Sequence, residues 1–154
     1  MTISQHLAKS LCDVYFGGNW TASNLKTQLA DVTWQQATRQ VYGLNTIATL
    51  VYHLNYYVIE VTKVLQGEPL TASDKFAFSH PPIQSREDWE QQRDRIWADA
   101  EVFAQLIEQL PDEKLVQDFA DPKYGTYYRN LAGIIEHIHY HLGQIAVLKK
   151  LVNN

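Results

Sequence analysis

Apolar residues return at steps of three and four in four stretches of the chain, and nowhere does alternation persist between turn signals as a sheet would require. The first stretch follows Ser4, read as an N-cap, and presents Leu7, Leu11, Val14 and Tyr15 before Gly17-Gly18 breaks it. A short helical continuation is expected through Leu25 and Leu29. The second follows Asn45 as its cap and carries a broad stripe from Ile47 through Leu50, Leu54, Val58 and Val61 to Leu65, stopping at Gly67. Residues 67–84 are rich in Pro, Ser, Asp and Thr, and His80-Pro81-Pro82 bars regular structure, so a long connection is predicted, of the kind that covers a site. The third helix opens on Ser85-Arg-Glu-Asp88 and places Trp89, Ile96, Trp97, Ala100, Phe103 and Ile107 at core spacing until Pro111. Pro111 to Tyr128 reads as irregular, and the fourth helix is expected from about Asn130 to Leu151. The pattern predicts an all-α fold, a four-helix bundle with long connections, in which residues 1–154 form a single domain without repeats.

Composition narrows the class. With 154 residues, 45% hydrophobic and 19% charged, the chain is long enough to bury a core without disulfides, and no apolar run approaches the roughly 18 residues of a membrane span. The start, Met1 to His6, lacks the features of a signal peptide, so a cytoplasmic location is expected and no membrane partner. The net charge of −4, with no basic cluster longer than Lys149-Lys150, removes the footprint of a phosphate-backbone binder, so nucleic acid is not expected as a partner. The single cysteine, Cys12, cannot form a thiolate cluster, so any metal must rely on nitrogen and oxygen donors. Trp20, Trp34, Trp89 and Trp97 read as core and core-edge aromatics.

The candidate chemistry lies in the fourth helix. His137 and His141 are four residues apart, which stacks two imidazoles on one face about 5–6 Å apart. Ile134, Ile138, Leu142, Ile145 and Leu148 form a buried stripe that includes that pair, so the rings are expected to point inward, where an unpaired polar ring is costly. A catalytic site of the zinc type needs about three protein donors and one open position, and His53, at the edge of the second helix's stripe, is the candidate third. His139, about 200° around the helix from the pair, reads as exterior. His6 and His80 have no helical partner, though His80 lies in the connection that could reach the site mouth. Gln144, on the same face as the pair, could bond a ligand's second ring nitrogen or a metal-bound water. Glu60, two turns beyond His53, reads as a distant carboxylate partner or a solvated surface acid. No carboxylate stands out as a general base, and glycine-rich phosphate loops and Gly-x-Ser-x-Gly elbows are missing. Spacing alone leaves two readings open: a metal site, or histidines that satisfy one another in the core.

At these residues the chain resembles the DinB/YfiT-like family of small metal-binding four-helix proteins. The resemblance rests on Leu50-Val-Tyr-His-Leu-Asn55 and on His137-Ile-His-Tyr-His-Leu-Gly-Gln144, where the family often shows a His-x-x-x-His followed by Arg-Gly-Gln. It extends to Gly17-Gly-Asn-Trp20, Leu29 to Ala37 and Pro81 to Trp89. It implies that His53, His137 and His141 bind a divalent transition metal, with zinc or nickel foremost. It further implies a small-molecule substrate and a low-molecular-weight thiol whose pKa the metal lowers, as in S-transferase-like relatives, or water activated as in a hydrolase. The alternative it leaves is a non-catalytic metal-binding or stress-response bundle. Leu142 departs from the arginine of many relatives and so lacks a cation for an anionic substrate. The resemblance also implies a homodimer, for which Tyr15, Phe16 and Trp20 would be exposed contact residues.

Overall fold

The computed structural model describes residues 1–153 and contains seven α-helices among them. Four are long: α1 (Ile3–Phe16), α4 (Ile47–Leu65), α5 (Arg86–Glu108) and α7 (Tyr127–Val152). Three are short: α2 (Leu25–Leu29), α3 (Trp34–Thr38) and α6 (Asp112–Leu115). Among the described residues the only β-structure is one isolated bridge, Asp118 to Thr126, and no helix is long and apolar enough to cross a membrane. The fold is all-α. Each long helix packs on two others in the cyclic order α1, α5, α4, α7, which closes a bundle around Leu11, Tyr15, Leu54, Trp89, Phe103 and Ile138.

Helix starts differ from the sequence expectation for a local reason. α1 is capped by Thr2, not Ser4, because Gln5 stands three residues after Thr2 and completes a capping box; Ser4 is buried within the first turn. The amides of Ile3 and Ser4 donate instead to the Asp112 carboxylate, each at 3.0 Å, so α6 fastens the start of α1. Thr46 rather than Asn45 caps α4, and Ser85 caps α5 as expected. α7 begins at Tyr127 under Thr126, three residues before the expected Asn130, because Tyr127 is buried edge-on against Phe119 with centroids 5.2 Å apart. α3 was not anticipated; Thr33 and Gln36 give it a capping box of its own. The end of α2 and the turn between α2 and α3 are tied to α5: Arg93 donates to the Leu29 carbonyl at 3.1 Å and Trp89 Nε1 to that of Val32 at 2.8 Å.

The aromatic surface expected for a dimer is also revised. Tyr15 is completely buried, with Trp97 of α5 edge-on to it, Phe16 is half-buried against Trp97, and Trp20 is wholly exposed, which fits its reading as an exposed residue and not its reading as a core-edge aromatic.

Residues 67–84 form a strap across α4. Thr71 donates to Glu60 at 3.1 Å, the Tyr56 hydroxyl both receives from the Ser73 amide and donates to its carbonyl, and the Tyr57 hydroxyl donates to Asp74 at 2.6 Å. A single 3-10 turn, Asp74–Phe76, then delivers Ala77 and Phe78 to the side chain of His53. The long connection thus has its own anchors, each from a polar side chain on one helix face.

Candidate metal centre

His53 projects from the middle of α4, and His137 and His141 project from adjacent turns of α7. The helices pack directly, so the three rings converge, with ring centroids 4.4–4.9 Å apart. Their ligand nitrogens lie within 4.8 Å of one another. His137 Nε2 is the central atom, 3.0 Å from His53 Nε2 and 3.0 Å from His141 Nε2. His53 and His141 are buried and His137 is half-buried.

Hydrogen bonds behind the rings determine which nitrogens carry protons. His53 Nδ1 lies 3.1 Å from the Ala77 carbonyl oxygen, which can only accept, so His53 carries its proton on Nδ1. His141 Nδ1 lies 2.7 Å from the amide oxygen of Gln144, which imposes the same tautomer. In the neutral rings both Nε2 atoms are therefore bare lone pairs aimed at His137 Nε2. One imidazole proton cannot satisfy both, and His137 Nδ1 is itself buried without a partner. A shared cation would resolve this. Two metal–nitrogen bonds of about 2.0–2.1 Å span separations up to roughly 4 Å, so nitrogens 3.0 Å apart can share one ion. The three-histidine cluster is compatible with a metal ion, and a set of neutral imidazoles suits zinc, nickel, copper and iron alike.

A proton is a poor substitute. Burial lowers the pKa of all three histidines; for His137, burial and then the neighbouring His141 and His53 bring it down to about 4. For His53 and His141, the contacts to Ala77 and Gln144 oppose the shift without reversing it. The folded protein thus keeps these rings neutral where the unfolded chain, at about 6.5, takes protons. Between those values the unfolded state binds more protons, so stability rises with pH and is lost as pH falls. Metal-free protein is expected to melt at progressively lower temperature from about pH 6.5 down to about pH 4, and His137→Asn is expected to flatten that slope. Parallel slopes for parent and variant in thermal melts would contradict this.

The surroundings of His53 are aromatic. Phe78 stacks on it, centroids 3.9 Å apart and planes 11° from parallel, and Tyr57 stands edge-on to both His53 and His137. Hydrogen bonding to Asp74 and burial raise the Tyr57 pKa to about 12, with burial the larger cause. Neither Ala77 nor Phe78 was expected from the sequence. Phe78 sits among small and polar residues of a proline-rich connection, and a main-chain acceptor has no sequence signature. Glu60, read as a remote partner or a solvated acid, is buried, accepting from Lys63 at 2.6 Å and Thr71 at 3.1 Å. It lines the same cavity as His137, a cleft of about 610 Å³.

Other expectations resolve plainly. His139 lies off the cluster and is half-buried rather than exterior, with a pKa lowered by burial. His80 does not reach the site mouth: its ring nitrogens lie 3.1 Å from the Thr49 hydroxyl and 2.7 Å from the Pro81 carbonyl oxygen. His6 is exposed. Leu142 is buried in the core, so its side chain does not line the cavity. Cys12 is partly buried on α1 and burial raises its pKa, away from nucleophilic use.

Compared with known families, residues 19–145 match the model of the DinB superfamily. No curated protein and no solved structure matches the chain.

Proposed function

The chain belongs to the DinB superfamily, and on that premise we propose that it is a metal-dependent enzyme in which His53, His137 and His141 hold one divalent transition ion, zinc or nickel. The observation that carries this reading is the pair of carbonyl-type oxygens behind His53 and His141, which turn two imidazole lone pairs onto the nitrogen of a third. A bound ion with an open position lowers the pKa of a thiol or water beside it, so that the anion forms near neutral pH. The substrate is a small molecule, and the nucleophile is a low-molecular-weight thiol transferred to an electrophile.

Two features favour thiol over water. A thiol starts near pKa 8.5 and water near about 15.7, so the thiol needs far less help to ionise. Glu60, the one buried carboxylate of the cavity, is held through one oxygen by Lys63 and through the other by Thr71, so it is not free to turn toward a water at the histidines. Gln144 holds the His141 ring and the Ala77 carbonyl holds that of His53, while Phe78 covers one face of His53 against solvent. The cleft at His137 admits the small molecule. A cytoplasmic setting, where thiols stay reduced, completes the proposal.

The test is consumption of an electrophilic aryl halide by zinc- or nickel-loaded protein, with and without added L-cysteine. Thiol-dependent loss that disappears in His141→Ala is the expected result. Turnover of ester substrates without thiol would move the assignment to a hydrolase. Inactivity under both conditions in metal-replete protein would leave a non-catalytic metal-binding bundle.

A further inference from the structure

A second cavity lies on another side of α4 and shares no residue with the cleft at His137. It measures about 440 Å³ and has three walls: one face of α4, the end of the strap from Ser79 to Ile83, and the first half of α5. Each wall contributes an isoleucine, Ile59, Ile83 and Ile96 in turn, and α4 adds Tyr52 and Tyr56. On α4, Tyr52, Asn55, Tyr56 and Ile59 recur at steps of three and four, so they share a single face of the helix. No histidine lines the cavity, so whatever it holds is independent of the reaction at the metal.

Asn55 is the polar residue of that face, and it is only 4% exposed. Its Nδ2 donates to the Asp99 carboxylate at 2.7 Å. A carboxylate accepts, so the amide nitrogen must be the atom facing Asp99 and the oxygen must be the one turned away from it. Asp99 is not part of the cavity wall, whereas Asn55 is. The remaining atom, Oδ1, is buried with no hydrogen-bond partner among the described residues, a state that native proteins leave in few of their polar groups. The charged side chains of the walls are engaged within the protein: Asp88 accepts the Gln84 amide at 2.9 Å, and Arg95 Nε lies 3.6 Å from the Asp99 carboxylate. Neither singles out a charged ligand, so the demand left in the cavity is for one neutral donor.

We propose that this cavity is a second binding site, for a small, planar, uncharged molecule that donates one N–H to Asn55 Oδ1 and lays its apolar body against the two tyrosines and three isoleucines. The volume is within the usual range for small-molecule sites, and a mostly apolar lining with one placed polar group is their common composition. Aromatic side chains favour a flat partner, which they meet face-on or edge-on. The buried acceptor supplies the selectivity, because an isostere that lacks the donor leaves Oδ1 as unpartnered as before.

The experiment is an NMR titration of the zinc-loaded protein with indole and with benzofuran, two bicyclic probes of nearly the same shape in which an oxygen replaces the N–H. Indole is expected to bind about tenfold more tightly than benzofuran, the worth of one hydrogen bond to a buried acceptor. Asn55→Leu should bring indole down to the affinity of benzofuran. That change also withdraws a partner from Asp99, so Ile59→Trp serves beside it: Ile59 is half-buried at the cavity, and a larger ring there should fill the space, keep the Asn55 amide and exclude both probes. Neither variant alters a histidine, so zinc content should match the parent. Equal affinities of the parent for indole and benzofuran would overturn the assignment of Asn55 as the recognising group and the proposal with it. Failure of both probes to bind the parent, or binding of indole that survives Ile59→Trp unchanged, would overturn the site.

Discussion

His137→Ala is expected to abolish metal uptake. Elemental analysis of protein purified without a polyhistidine tag should give about one ion per chain in the parent and almost none in the variant. The effect should be larger than for a peripheral donor because His137 Nε2 stands 3.0 Å from each of the other two nitrogens; without it the remaining pair comes from helices whose contact it bridges. Structural collapse is not the expected cause. His137 is half-buried and one of its ring nitrogens already lacks a partner, so metal-free parent and variant should melt within a few degrees of each other. Equal metal content in parent and variant would remove His137 from the site. No metal in either, after zinc or nickel has been supplied, would remove the site altogether.

Metal should also stabilise the fold strongly, since the three donors come from two helices far apart in sequence. Binding to the folded state alone contributes RT ln(1 + [L]/Kd), about 4 kcal/mol at a thousandfold excess over Kd. For a chain of this length each kcal/mol raises Tm by roughly 2–4 °C, so zinc should lift the melting temperature by about 8–16 °C and a chelator should reverse it. The triple change of His53, His137 and His141 to Ala should show no such shift. A protein with measured bound zinc whose Tm ignores the chelator would place that zinc elsewhere on the chain.

The long helices were legible because each repeats its apolar positions over three or more turns, and the period outweighs errors at the ends. The ends were not equally legible. Thr2 and Ser4 both offer a hydroxyl, and only Gln5, three residues after Thr2, distinguishes them. α3 spans five residues, too few for a period to register, and depends on Thr33 and Gln36 for its cap and on packing against α4 and α5. Tyr15 takes its place in the apolar stripe of α1 and not as an exposed contact residue, because α5 covers it with Trp97 edge-on at 6.3 Å. At the site, the four-residue step of His137 and His141 and the stripe-edge position of His53 pointed to one cluster, and Gln144 fell where a three-residue step puts it, 2.7 Å from His141. Glu60 was harder to place. Its burial depends on Thr71, eleven residues away on a connection with no periodicity of its own.

The Ala77 carbonyl behind His53 gives the site an unusual tolerance. Side-chain orienters such as Gln144 can be lost in a single codon change, but every residue type has a carbonyl oxygen. Position 77 can therefore drift in sequence, within the limit of a buried site that takes a small side chain, while the proton on His53 stays where it is. What must be preserved is the path of the strap: its length between Gly67 and Ser85 and its anchors at Glu60, Tyr56 and Tyr57. Relatives that keep those anchors would retain the geometry even where the residues facing the histidine no longer match, and comparisons made letter by letter would pass over half of what holds the site.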